Sequence, residues 1–268
     1  MFTRISYRGM IALVLMMVTV SSAGAYYYVN YQLPWDMCNS NGTNIFYTVD
    51  GDEDGEPVLL IHGFAANGFM NWRNPGVIDE LVKAGYKVIT MDLRGHGWSE
   101  KPTDECSYGA EMMNDAVRLL DYLEIDKSHI VGYSLGGIIT QNLAVYHPER
   151  IISATTMASG WELPDTSKAV TDRYIISNSY REGKPINILA YVTNSKKKTS
   201  YARHIAIYSM INLFNSPKAL AATVEGSAGL AVQPDELQAI DLPFMVLIGK
   251  DDVMYPLAKN LAEQLSNE

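Results

Sequence analysis

Cysteine is scarce: Cys38 and Cys106 are the two present in 268 residues. That excludes a small domain framed by disulfides. In an exported chain it leaves room for one bridge, and nothing in the sequence shows that the two meet. Histidine is also scarce, and no Cys/His pair has zinc-site spacing, so no metal is expected. Positive charge is in deficit, with 21 Lys and Arg against 30 Asp and Glu and a formal net charge of −9. That balance argues against nucleic-acid binding and against attraction to anionic membranes. The single basic cluster, Lys196-Lys197-Lys198, lies among Thr, Ser and Asn and reads as a solvated loop. No internal repeat is evident.

Long unbroken apolar runs are missing except at the start. Arg4 and Arg8 precede an apolar stretch over residues 10–20, followed by Ser21-Ser22-Ala23-Gly24-Ala25. A basic start, a short apolar centre and an A-x-A ending match a secretory signal cleaved after Ala25. Extending the run through Tyr26, Tyr27, Tyr28 and Val29 gives about twenty residues, enough for an uncleaved anchor with an interfacial tyrosine cluster. Both readings stay open, and both put the domain outside the cytoplasm, periplasmic, extracellular or membrane-anchored. The roughly 240 residues that remain suit one α/β domain.

Beyond this segment, strand and helix patterns alternate. Residues 44–49 read as an early strand, ending at the polar turn Gly51-Asp52-Glu53-Asp54-Gly55. Residues 57–61 are apolar on both faces, as in a buried parallel strand, 244–248 read the same way, and 87–91 read as a further strand. Between them come a helix over 77–84 stopped by Gly85, and an amphipathic helix over 111–123 with Met112, Ala116, Leu119 and Leu123 at helical spacing. A strand over 151–157 follows. The alternation implies a mostly parallel sheet with helices on both faces. From Gly160 to about Gly229 the rhythm breaks into helical stretches at 166–181, 199–214 and 217–224, with Tyr201, Ile205, Tyr208 and Ile211 on one face. A helical insertion between strands sits over the strand ends, where ligands bind; it is expected to be a lid. The expected organisation is therefore 1–25 signal or anchor, 26–160 first core part, 161–228 lid and 229–268 second core part.

Gly132-Tyr133-Ser134-Leu135-Gly136 is the most informative motif. His129-Ile130-Val131 leads into it as a strand and residues 137–146 leave it as a helix. A serine on such a strand-to-helix turn has a strained backbone, and side chains at the flanking glycines would collide. It also lies at a helix N-terminus, where free N–H groups favour developing negative charge.

Four landmarks together resemble the α/β-hydrolase superfamily over about residues 44–265: His62-Gly63-Phe64, the turn from Asp92 to Ser99, the elbow followed by Gly137, and Gly249 to Pro256. A finer resemblance is to lid-bearing bacterial lipases and monoacylglycerol-lipase-like esterases. The resemblance implies Ser134 as nucleophile, and the backbone amides of Leu135 and Phe64 as oxyanion donors. It also implies Asp252 as the acid, in preference to Asp251, because Gly249, Asp252 and Pro256 fit the family spacing. It gives His62, His96 and Asp92 structural parts, while His129 and His147 read as packing or surface residues. No cofactor is implied.

The base is absent from its place. In this fold the triad order is Ser, acid, His, and no histidine follows Asp252. His204, in the expected lid, is the remaining candidate. The sequence is therefore expected to be the first part of a longer protein, with degenerate catalysis as the competing reading. The expected activity is cleavage of lipid-like or medium-chain acyl esters through an acyl-serine, with the chain as given nearly inactive. The alternatives are carbon–carbon bond hydrolysis on the same scaffold and a non-catalytic ligand-binding module. Epoxide hydrolysis and dehalogenation are disfavoured, because the resembling enzymes have aspartate in place of Ser134. The expected partner is a small acyl ester, with membrane association through the N-terminal segment.

Overall fold

The computed structural model describes residues 35–162, 166–184 and 201–265. The expected signal or anchor and Lys196-Lys197-Lys198 lie outside the described residues. No described helix is long and apolar enough to cross a membrane. The compact unit is Asp36–Glu268.

Seven strands make one sheet: β1 (Trp35–Ser40), β2 (Thr43–Asp50), β3 (Glu56–Ile61), β4 (Tyr86–Met91), β5 (Ser128–Tyr133), β6 (Ile151–Met157) and β7 (Phe244–Leu247), in the order β1-β2-β4-β3-β5-β6-β7. β2 pairs antiparallel with β4, and β4, β3, β5, β6 and β7 run parallel. Asn41 (φ 51°) and Gly42 (φ 84°) form the two-residue turn between β1 and β2. Both central residues of a tight hairpin turn need positive φ, and Asn-Gly supplies that at least strain. The first strand went unforeseen although this dipeptide marks it.

The alternation of side chains along β3 explains the layers. Leu59 and Ile61 face one side, packing with Met112, Ala116 and Leu119 of α2 (Ala110–Tyr122) and Ile139 and Leu143 of α3 (Leu135–Tyr146). Val58 and Leu60 face the other, packing with Trp72 and with Ile78 of α1 (Val77–Lys83). A strand covered on both faces must be apolar throughout.

β7 lies at the sheet edge, with β6 as its one neighbour among the described strands. Phe244 and Val246 pack against the core, while Met245 and Leu247 are exposed. An apolar run alone does not distinguish a central strand from an edge one; the number of neighbours decides burial.

Between β6 and β7 lie α4 (Ser167–Arg181), α5 (Tyr201–Asn212), α6 (Pro217–Gly226) and α7 (Pro234–Gln238). Thr166 caps α4, its hydroxyl accepting from Ala169 N–H at 3.2 Å. Tyr208 and Ile211 of α5 turn inward, but Ile205 is exposed, so the face read from the sequence divides. α8 (Tyr255–Gln264) follows β7.

Candidate active site

Ser134 stands between the last residue of β5 and the first of α3, with φ 52° and ψ −111°. A non-glycine residue adopts this left-handed backbone only where its surroundings enforce it. The flanking glycines show how. A side chain at Gly132 would come within 2.1 Å of the Gly136 carbonyl, and one at Gly136 within 2.2 Å of the Ile61 carbonyl. The turn is thus pressed against the end of β3, and a Cβ at Gly63 would lie 3.2 Å from the Ser134 Cβ. Ser134 N–H donates to the Met157 carbonyl at 2.8 Å, tying the turn to β6 as well.

The loop after β3 faces this turn. His62 is wholly buried: its Nε2 accepts from Leu93 N–H at 2.9 Å and its Nδ1 contacts the Gly63 carbonyl at 2.7 Å. Accepting at one ring nitrogen requires a neutral ring protonated on Nδ1, so neither nitrogen is free to serve a nucleophile. Asn71 Oδ1 accepts from Gly63 N–H at 2.9 Å. Ala65 has φ 58°. The amides of Phe64 and Leu135 donate to no partner among the described residues.

A third layer holds the loop from above. Asn215 Nδ2 donates to the Ala65 carbonyl at 3.3 Å, and its Oδ1 accepts from Gly97 N–H at 3.2 Å. Phe64 meets Tyr180 of α4 edge to face at 5.9 Å, and meets His96 at 5.7 Å. Asn71, Asn215 and Tyr180 were not singled out from sequence. Asn215 reaches its partner across 150 positions, and no local pattern encodes such a contact.

The other named residues separate into places. Asp92 is buried after β4 and accepts from Gly68 N–H and Trp98 N–H, each at 2.8 Å. Its carboxylate ties together the two ends of the turn from Asp92 to Trp98 and the Gly68 loop. Asp252 follows β7, half-buried, its Oδ1 accepting from Met254 N–H at 2.9 Å, while Asp251 is exposed. Because β5, β6 and β7 are parallel, Asp252 and Ser134 emerge at the same end of the sheet. His129 contacts Ser153 Oγ at 2.7 Å on β5, before the elbow, and His147 pairs with Glu149 at 3.5 Å. Among the described side chains no histidine bonds Ser134; that of His204 lies outside them. Cys38 is buried and Cys106 exposed, both as free thiols. No group of residues suited to a metal occurs among the described ones.

Burial sets the acid behaviour of this layer. It pushes Asp92 up to about 6, against the opposing pull of the two amides, and lowers His62 to about 4 and His96 to about 3. The histidines stabilise the fold above their unfolded value of 6.5, and that stability is lost as pH falls toward their folded values. Asp92 works in the opposite sense: protonation below its folded value relieves a burial cost. From pH 6.5 to 4 the sum of these three is a loss of about 3 kcal/mol. Asp92→Asn removes the compensating proton and steepens the loss to about 5.5 kcal/mol. Urea midpoints measured across that range check both slopes; a flat profile in the parent protein would contradict the assignment.

Comparison with known proteins agrees with this architecture. The family model for the alpha/beta hydrolase fold matches residues 56–263. The chain is 27% identical over 226 residues to a 2-hydroxy-6-oxo-6-(2'-aminophenyl)hexa-2,4-dienoic acid hydrolase of Metapseudomonas resinovorans, covering 82% of this chain and 75% of that one. Among solved structures it resembles the enol-lactonase of Burkholderia xenovorans LB400, with TM-score 0.67, 22% identity and coverage of 85% and 87%. It also resembles a carboxylesterase structure from Nitrososphaera gargenis, with TM-score 0.69, 22% identity and coverage of 87% and 86%.

Proposed function

Because the chain belongs to the alpha/beta hydrolase fold family, we propose that it is built to cleave carboxylic esters through an acyl-serine formed on Ser134. The observation that carries this reading is the strained Ser134 backbone at the head of α3, together with the unpartnered amides of Leu135 and Phe64. Attack by the Ser134 oxygen on an acyl carbonyl creates an oxyanion. Two fixed amide donors stabilise that charge without reorganising; one such donor is worth on the order of 10²–10³ in turnover. Collapse of the tetrahedral intermediate expels the alcohol, and water then releases the acid.

Asp252 is proposed as the group that orients a histidine base. With no base assigned among the described residues, Ser134 keeps its proton at neutral pH. The 268-residue chain alone is then expected to turn over on the order of 10⁶-fold more slowly than an enzyme with a complete triad. The helices over Phe64 and Ala65 act in this reading as a lid, and Tyr180 and Tyr208 give it an aromatic underside that suits an apolar acyl chain.

Carbon–carbon hydrolysis is the second reading, and the Metapseudomonas relative favours it. The two are separated with p-nitrophenyl esters from acetyl to lauroyl, assayed with added imidazole as a surrogate base and with the Ser134→Ala background subtracted. Ester cleavage predicts a serine-dependent rate that rises to a medium chain length. Cleavage of a vinylogous diketone acid with no serine-dependent ester turnover would replace this reading with the second.

A further inference from the structure

We propose that the cavity between Trp98, Lys101 and the link from α5 to α6 binds a small aromatic carboxylate. Its volume is about 310 Å³, and Trp98, Lys101, Leu213, Phe214, Asn215 and Ser216 line it, with Gly97 completing the wall. It shares no lining residue with Ser134, Leu135, Phe64 or Asp252. The size is at the lower end for small-molecule sites, and the make-up is theirs, apolar walls with a few polar groups. The walls are fixed before any ligand arrives. Trp98 N–H is held by Asp92 at 2.8 Å, yet its ring stays 43% exposed, set against Phe214 at 6.4 Å and 68°. Asn215 is buried and bonded at both ends of its amide, to the Ala65 and Ile211 carbonyls and to Gly97 N–H. The link is thereby pinned to the turn that carries Trp98.

Charge and ring faces together identify the occupant. Lys101 Nζ donates to the Gly97 carbonyl at 2.6 Å and the Ser99 carbonyl at 2.9 Å. Those bonds use two of the three ammonium hydrogens and neutralise none of the charge. No described carboxylate is in ion-pair contact with Lys101; Asp92 acts on it from further away, and burial lowers the ammonium below its ordinary value. An anion in the cavity would take the third hydrogen and offset that burial. The Ser216 hydroxyl makes no hydrogen bond among the described residues. Phosphate would use the charge and leave the two rings bare. A neutral arene would do the reverse, and an aliphatic acid would forgo the ring-to-ring contact. An aromatic carboxylate uses the charge, the hydroxyl and the rings at once. This proposal is independent of the chemistry at Ser134.

The test uses the full chain, titrated with naphthoate, its neutral isostere naphthamide, and decanoate, and followed by saturation-transfer magnetic resonance. One naphthoate should bind per chain with a dissociation constant below the millimolar range. Naphthamide should bind about tenfold more weakly or worse, the loss expected for a missing charge-assisted hydrogen bond. Decanoate should also be the weaker ligand. Lys101→Met should cost naphthoate about tenfold or more and leave naphthamide unchanged. Because Lys101 also ties down the turn, a second variant leaves those bonds alone: Leu213→Trp, at a rim residue 56% exposed, fills the cavity and should block naphthoate. Near-ultraviolet circular dichroism checks the fold of each variant, and Leu213→Trp decides if Lys101→Met does not fold. Naphthoate held elsewhere, the Ser134 site included, would bind both variants as it binds the parent. That result, no naphthoate binding at millimolar concentration, equal binding of naphthamide, or decanoate binding as tightly as naphthoate would each overturn the proposal.

Discussion

Asp115→Ala is expected to destabilise the fold by about 3–5 kcal/mol. Asp115 and Arg94 are both buried, and the guanidinium grips both carboxylate oxygens, Nε to Oδ2 and a terminal nitrogen to Oδ1, each at 2.6 Å. A third donor of Arg94 reaches the Ser107 carbonyl. Removing the carboxylate leaves a permanently charged buried group with only the Glu111 carboxylate, 3.7 Å away, as counter-charge, and most of its desolvation then goes uncompensated. The damage also reaches the site. Arg94 lies in the turn between Asp92 and Ser99, whose His96 ring packs on Phe64. Replacing both partners together, as Arg94→Met with Asp115→Leu, should recover much of the loss because no charge remains buried. Urea denaturation at unchanged m-value measures each variant. A loss below about 1 kcal/mol for Asp115→Ala would mean that water reaches the pair.

Ser134→Ala should abolish every imidazole-dependent increment of ester turnover. An external base can substitute only where an internal nucleophile waits to be deprotonated and the oxyanion donors are already in place. The backbone of the elbow supplies the second condition. The turn is held by Gly132 against Gly136, by Gly136 against β3, and by the Ser134 amide on β6, so alanine keeps the turn and removes only the oxygen. Background hydrolysis by imidazole in solution is the same for both proteins and cancels in the difference. Equal rates for the two proteins would show that the hydroxyl takes no part.

Much of this architecture is legible in the residues. The strand over 151–157 matches β6 end to end, because an apolar β-branched run between turn signals has one favourable conformation. The helices over 217–224 and 166–181 lie within two residues of α6 and α4, because Pro at the first turn and Thr at a cap fix their starts. The elbow is legible because its glycines are needed sterically. What escaped was set by distant partners. The run over 244–248 is apolar throughout, yet Met245 and Leu247 are exposed, since cover is supplied by neighbours rather than by a strand's own side chains. Ile205 shares a helical face with Tyr208 and Ile211 but stays exposed, because the cover over α5 is set by where Phe64 and Ala65 lie. Arg94 and Asp115 carried no signal as a pair, being 21 positions apart on a turn and a helix.

The central claim is that the Ser134 oxygen is a nucleophile presented to the Leu135 and Phe64 amides, and covalent trapping tests it most directly. The 268-residue chain is incubated with a fluorophosphonate, with and without imidazole, digested, and mapped by mass spectrometry. One phosphonyl group per chain is expected on the Ser134 peptide, formed faster with imidazole and absent from Ser134→Ala. Modification confined to another serine, or none at Ser134 while the fold is intact by near-ultraviolet circular dichroism, would contradict the account.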